Sequence, residues 1–340
     1  MDTALPQRFT ELSLHPLKHL QDQAFQLDQQ DIQQVNYPET YAQHIQLKTE
    51  PVLLKPRHDG NVVAAVDTST IKIGETSTGI LIAVRGANVW KQQKNYRYVR
   101  FGPFIFHITE ENKNEVYNNL QAVRSNVHRQ SIRSFPNLLQ MPMRMASLLE
   151  RWMQSMLSKT VVSGEILLDG SLTAGTADAP TSLMKEMLMS ARRRNSIVLA
   201  FSKMTNLRVN GHLITELPVK HRPPYLLEAT GLKPKPPMVL LGDVYVARLT
   251  KGSYAFRLDI DREAGAQQRI AAVETVLGND LIQDGYPETL RWAHILCTFT
   301  ANEVIAMQHY ATWKCGLRII ERPDMHKVLF GSFGRGENCS

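Results

Sequence analysis

Two stretches of the chain read alike: Ala64-Ala65-Val66-Asp67-Thr68-Ser69 and Ile166-Leu167-Leu168-Asp169-Gly170-Ser171. Each is an apolar run that ends in Asp, followed by a small residue and Ser. Unbroken apolar runs of this length suit strands covered on both faces, as in sheets with parallel crossovers. In open α/β sheets, ligands gather just beyond the carboxyl ends of the strands. An Asp placed there lies on a rim where a cation can satisfy its charge. If the two strands are neighbours, their carboxylates converge, and like charges at close range cost energy unless a cation offsets them. Hard divalent ions such as Mg²⁺ and Mn²⁺ take such carboxylate oxygens. A single strand-Asp-Gly is also an ordinary turn or helix cap; it is the matching of two that points to a site.

Outward from these stretches, Val62–Asp67 opens a series of strands. Gly79–Trp90 and Tyr96–Ile108 are long runs rich in β-branched and aromatic residues. The short polar intervals between them predict an antiparallel meander. Residues 110–132 carry Val116, Leu120, Val123 and Val127 at helical spacing, and a second helix is predicted over 141–158. A strand at Glu165–Leu168, a helix near 181–193 and a strand at Ser196–Phe201 follow. The order β-β-β-α-α-β-α-β predicts an α/β fold, a mixed sheet combining the meander with parallel crossovers. Residues 217–237 read as a Pro-rich connection. Asp243–Leu249 and Tyr254–Ile260 read as a hairpin around Lys251-Gly252-Ser253. Helices near 264–278 and 287–309 and a strand near Leu317–Ile320 complete the series. The Gln-rich residues 1–60 predict a helical extension with segments near 17–34 and 39–48. It precedes a main domain of residues 61–325 and a tail of 326–340.

The 340 residues carry a net charge of +7, with 43% hydrophobic and 21% charged content. That composition can bury a large core. The basic balance suits a phosphate-rich partner. Arg192, Arg193 and Arg194 form one basic run, and His221-Arg222 and Lys233-Pro234-Lys235 lie further on; a solvated helix end and loop would look the same. No apolar run approaches the ~20 residues of a membrane helix, and no secretory signal is evident. Cys297, Cys315 and Cys339 lack CxxC spacing, which fits free thiols in a reducing cytoplasm. A GxxxxGK[ST] loop is absent, so ATP hydrolysis is not expected of this chain.

Three further residues bear on the site. Glu150 shares nearly one helical face with Met143, Ala146, Met153 and Leu157, so it is either at the flank of that face or held by a cation. Lys203 follows the strand Ile197–Phe201 through Ser202 and could face a phosphate; an ordinary surface lysine fits equally. His294 stands two turns into a helix opened by Pro287, as a core histidine or as a ligand that Mn²⁺ tolerates.

In order, these landmarks resemble the NurA nucleases. Asp67-Thr68-Ser69 stands where that family has Asp-Gly-Ser after an early strand. Glu150 and Asp169-Gly170-Ser171 match its helix Glu and second Asp-Gly-Ser, Ser202-Lys203 its Ser-Lys, and Gly285 through His294 its Gly-Tyr-Pro-x-x-Leu-x-x-Ala-His. The resemblance covers roughly residues 60 to 310. It implies an RNase H-like core and a divalent metal, Mn²⁺ or Mg²⁺, held by Asp67, Glu150, Asp169 and His294, with Lys203 beside the reacting phosphate. It also implies a homodimer, DNA as substrate in end resection and double-strand break repair, and a HerA-type hexameric ATPase as partner. Thr68 departs from the pattern, which leaves a catalytically inactive DNA-binding scaffold or regulator of a hexameric ATPase as the alternative.

Overall fold

The computed structural model describes residues 4–14, 24–27, 41–42, 45–122, 136–216, 221–252, 254–315 and 318–320. Helix α1 (Ala4–Leu14) and strands β1 (Ala24–Leu27), β2 (Gln46–Leu47) and β3 (Val52–Leu53) come first. The meander is β4 (Val63–Thr76), β5 (Gly79–Gln92) and β6 (Asn95–Thr109). Then come α2 (Lys113–Ala122), α3 (Met141–Thr160), β7 (Glu165–Asp169), α4 (Thr181–Arg192) and β8 (Ile197–Ser202). The chain continues through β9 (Tyr225–Thr230), β10 (Gly242–Arg248), β11 (Phe256–Asp261), α5 (Ala266–Asn279), α6 (Glu288–Cys297), α7 (Ala301–Cys315) and β12 (Arg318–Ile320).

Among the described residues these twelve strands form one sheet, with β6-β5-β4-β7-β8-β11-β10-β9 side by side at its centre. β4 runs parallel to β7 and β7 parallel to β8, while β5, β6, β9, β10 and β11 pair antiparallel. The chain is therefore a mixed α/β protein, with the meander and the crossovers arranged as the sequence predicts. Ala64, Val66, Ile166 and Leu168 pack into the core beneath α2, α3 and α4. Their alternates Val63, Ala65 and Leu167 pack against α5 and α6. Both faces of the central strands are covered, which is why their sequence shows no polar alternation.

Five expectations need correction. β4 does not end at Asp67: it stays paired with β5 as far as Glu75, because Thr68, Thr70 and Ile71 favour extended backbone and their partner strand continues. The described parts of 39–48 are strands rather than helix, since Gln46 and Leu47 pair with β9. Within 17–34 the described residues 24–27 are strand β1; the remainder of that segment, the positions beyond 122 in the predicted helix 110–132 and the tail 326–340 lie outside the described residues. The Pro-rich 217–237 stretch holds β9, whose short apolar run Tyr225-Leu226-Leu227 is too brief for periodicity to reveal. The predicted helix 287–309 is two helices. Thr298 is extended, and Thr300 and Glu303 exchange backbone and side-chain hydrogen bonds that start α7.

Helix α1, which the sequence did not predict, covers the meander by setting Phe9 against Phe104 and Phe106, with ring centroids 5.2 and 5.6 Å apart.

At the far end of β7 from the rim, Glu165 is 5% exposed and its Oε2 has no hydrogen-bond partner among the described residues. Burial, reinforced by nearby Asp59, pushes its carboxyl up to about 8. A carboxyl raised in the folded state stabilises fully below its unfolded value, and that contribution is lost as pH rises through the folded value. The protein should therefore lose on the order of 2–4 kcal/mol between pH 4.5 and 8 through this group. Glu165→Gln should flatten that part of the curve. Parallel unfolding curves for the two proteins across this range would sink the assignment.

Candidate metal centre and cleft

The register of β4 against β7 runs from Val63 opposite Glu165 to Val66 opposite Leu168. The next residues are Asp67 and Asp169, so the two carboxylates leave adjacent parallel strands about 4.8 Å apart. Asp67 alternates with Ala65, and Asp169 with Leu167, so both point to the α6 face of the sheet. At this place β7 stops while β4 continues, and the edge of β4 beyond Asp67 is left without β7 as neighbour. The rim predicted from the two matched runs thus arises because the neighbour ends, not because β4 does.

Helix α6 closes the site from one side. Leu290 and Ala293 seat it in the core, and His294 Nδ1 lies 2.8 Å from Asp67 Oδ2. His294 is 53% exposed and Asp67 14%, so the pair bridges core and solvent. One turn on, Cys297 is fully buried and its Sγ donates to the His294 carbonyl at 3.2 Å. Burial, then the Asp67 charge, raises the thiol well above its usual range.

From the other face α3 delivers Glu150. The approach depends on Gly86, which pairs with Thr68: a Cβ there would lie 2.4 Å from Met153 Sδ and 3.2 Å from Leu149. Glu150 Oε1 accepts from Gln154 Nε2 at 2.7 Å, and Arg151 Nη1 in turn donates to Gln154 Oε1 at 2.6 Å. Burial raises Glu150 to about 7; Arg151 opposes this, while Asp67 and Asp169 add to it. Of the two readings left open for Glu150, the helix flank and the charged centre, its surroundings join the two: partly buried, and within the field of both aspartates.

Asp169 is also raised, first by burial and then by Asp67, against the lowering effect of Lys203. Lys203 Nζ sits 2.8 Å from Asp169 Oδ2. The turn after Asp169 is held by Gly170, at φ +112, a conformation that side chains rarely adopt. Its N–H donates to the Phe201 carbonyl at 2.8 Å, and Ser202 Oγ donates to its carbonyl at 2.7 Å. Position 68 asks for no such freedom. Thr68 lies in extended strand and donates its N–H to Asp67 Oδ1 at 2.7 Å.

A cleft of about 400 Å³ adjoins the centre, lined by Lys203, Tyr254, Phe256, Tyr286, Arg291 and His294 among others. Tyr286 packs edge-on to Phe201 and against Phe256, and Lys203 Nζ lies 5.5 Å from its ring. Its hydroxyl is buried without a hydrogen-bond partner among the described residues; burial, then Asp169 and Asp67, keep it protonated. Sequence reasoning did not single out Tyr254, Phe256, Tyr286 or Arg291 as functional. Tyr286 is a named position of the quoted motif and was legible there, whereas Arg291 falls on one of its unspecified positions. Tyr254 and Phe256 carry no signal beyond a strand.

The basic run separates. Arg192 Nη1 is bound to Asp261 Oδ1 at 2.7 Å and its Nη2 to Glu263 at 2.6 Å. Arg193 and Arg194 are exposed, but all three precede β8, whereas Lys203 follows it. The six-residue strand between sets them roughly 20 Å from the carboxylates.

The donor types suit a hard divalent ion: three carboxylates, with the Asp67 charge raising Glu150 and Asp169, and one imidazole. No helix among the described residues is long and apolar enough to cross a membrane.

No family model matches the chain, and no curated protein matches its sequence. Among solved structures it is similar to the NurA nuclease from Sulfolobus solfataricus, at 14% identity and a TM-score of 0.46, over 78% of this chain and 88% of that one. It is also similar to an Endonuclease V from Bacillus subtilis, at 10% identity and a TM-score of 0.35, over 78% and 88% of the two chains.

Proposed function

We propose that this chain is a divalent-metal-dependent nuclease that hydrolyses DNA phosphodiesters. The observation that carries the reading is the placing of Asp67 and Asp169 side by side on adjacent parallel strands, with His294 on one and Lys203 on the other. Asp67, Glu150, Asp169 and His294 would hold the metal, Mn²⁺ or Mg²⁺. The chemistry such an ion supplies when bound is charge stabilisation on the phosphodiester and a lowered pKa for water.

The chain's own groups do the rest. Lys203 can pass from Asp169 to a non-bridging phosphate oxygen when the carboxylate takes a cation. The Tyr286 hydroxyl, which has no hydrogen-bond partner among the described residues, can donate to a second oxygen. The faces of Tyr254 and Phe256 offer a stacking surface for a base, worth about 1–3 kcal/mol per base. Arg291 supplies charge to the flanking phosphate. Arg193 and Arg194 would extend the basic surface for a longer strand, with binding that weakens steeply in salt.

Finer parts of the same proposal rest on the sequence resemblance. They are 5′-to-3′ exonuclease and single-strand endonuclease action, a role in DNA end resection and double-strand break repair, a homodimer, and a HerA-type hexameric ATPase as partner. The deciding experiment incubates the protein with end-labelled DNA and matched RNA, with Mn²⁺ and after chelation. Metal-dependent cleavage of DNA but not RNA is expected. No cleavage with Mn²⁺, alone or with a HerA-type ATPase, would overturn the reading; preference for RNA would redirect it.

A further inference from the structure

Cys297 has no part in the carboxylate chemistry above, yet the structure sets its sulfur beside it. His294 and Cys297 lie three residues apart on α6 and so share one face. One donor atom each from Asp67, His294 and Cys297 lies within 4.8 Å of the other two. We propose that these three residues form a site for a thiophilic divalent cation, of the Zn²⁺ or Cd²⁺ class, which competes with the hard ion for Asp67 and His294.

The geometry is close to what such an ion needs. A tetrahedral zinc site has ligands at about 2.0–2.3 Å, which leaves donor atoms roughly 3.3–3.8 Å apart. Asp67 and His294 already stand 2.8 Å apart, so an ion entering between them must spread that pair slightly and draw the sulfur in. Carboxylate, imidazole and thiolate together are a soft-shifted set that Mg²⁺ and Mn²⁺ do not prefer. The cleft that reaches His294 gives a path in.

Binding forms a metal–sulfur bond and breaks the sulfur–hydrogen bond of Cys297; the proton passes to solvent and no electron is exchanged. The hydrogen bond from Sγ to the His294 carbonyl is given up in the same step. Because the site shares two residues with the proposed catalytic centre, occupancy by Zn²⁺ would exclude the hard ion and silence the protein.

The test titrates the full chain with Cd²⁺ and reads the ultraviolet thiolate-to-cadmium charge-transfer band. One equivalent should produce the band in the native protein and in Cys315→Ser. Cys297→Ser and Cys297→Ala should lose it, with circular dichroism confirming that both are folded. Asp67→Asn should weaken the titration at least tenfold. A band that survives in folded Cys297→Ser, or that is absent from the native protein, overturns the proposal. The competition alone rests on the nuclease reading. It is read separately, as release of bound Mn²⁺ by Zn²⁺ in paramagnetic resonance, so failure of Mn²⁺ to bind at all indicts that reading and not the cadmium site.

Discussion

Asp169→Ala is expected to cut Mn²⁺-dependent DNA cleavage about 10³-fold or more while leaving the protein folded. A lost metal ligand removes charge stabilisation worth several kcal/mol, and each ~1.4 kcal/mol is a factor of ten in rate. Folding should not suffer. The Asp169 carboxylate is held at a cost, its pKa raised by burial and by Asp67 against the pull of Lys203. Removing it relieves that repulsion, and Lys203, 40% exposed, can turn to solvent. The check is degradation of end-labelled DNA by both proteins beside their circular dichroism. Equal cleavage by the two would mean that the site is elsewhere; an unfolded variant would mean that Asp169 is structural.

The largest loss of stability is expected from Asp259→Ala. Arg257 and Asp259 are both fully buried on β11. Asp259 accepts from Arg257 Nε at 2.7 Å and Nη2 at 2.9 Å, and from the Leu172 amide at 3.0 Å. Deleting one partner of a buried ion pair strands the other charge, which costs about 3–5 kcal/mol. For a chain of this size that lowers Tm by roughly 4–7 °C. Replacing both residues with apolar ones of similar volume should restore much of it, since the intact pair itself offsets its desolvation only in part. Calorimetry of the single and double variants decides: equal losses in both would assign the cost to packing instead. Because Leu172 follows Asp169-Gly170-Ser171, the single variant should also loosen the loop that follows the Asp169 carboxylate.

Much of the sheet was legible because its signals are local. The meander strands are long β-branched runs, and the Asp169 turn is announced by Gly170, whose backbone a side chain would strain. What stayed hidden depends on partners distant in sequence. Nothing in Val63–Thr76 marks Asp67 as the point where one neighbour leaves and another does not. Arg192, Arg193 and Arg194 look equivalent in sequence, yet Asp261 and Glu263, on and just past β11, hold the first. The charges of Arg257 and Asp259 would suit a solvent-facing strand; only the covering layers make them a buried pair. Cys297 falls on the core stripe of α6 as any small apolar residue would, and its closeness to Asp67 appears only when α6 lies across β4.

The pairing of β1 with both β4 and β12 constrains the order in which the molecule assembles. Phe25 stands opposite Ile319 on one side and Thr76 on the other. Joining two points so far apart on an unstructured chain costs roughly 5 kcal/mol in closure entropy, by the logarithmic dependence on loop length. Once the meander and crossovers have formed, the same contact closes only short segments, and most of that cost has been met by contacts already made. The cheapest route is therefore for β1 and β12 to dock last, onto a finished rim. On the ribosome the late arrival of β12 is enforced, since it is not available until residue 320 has emerged. The carboxylate site is then complete before the strands that brace the far end of β4 arrive.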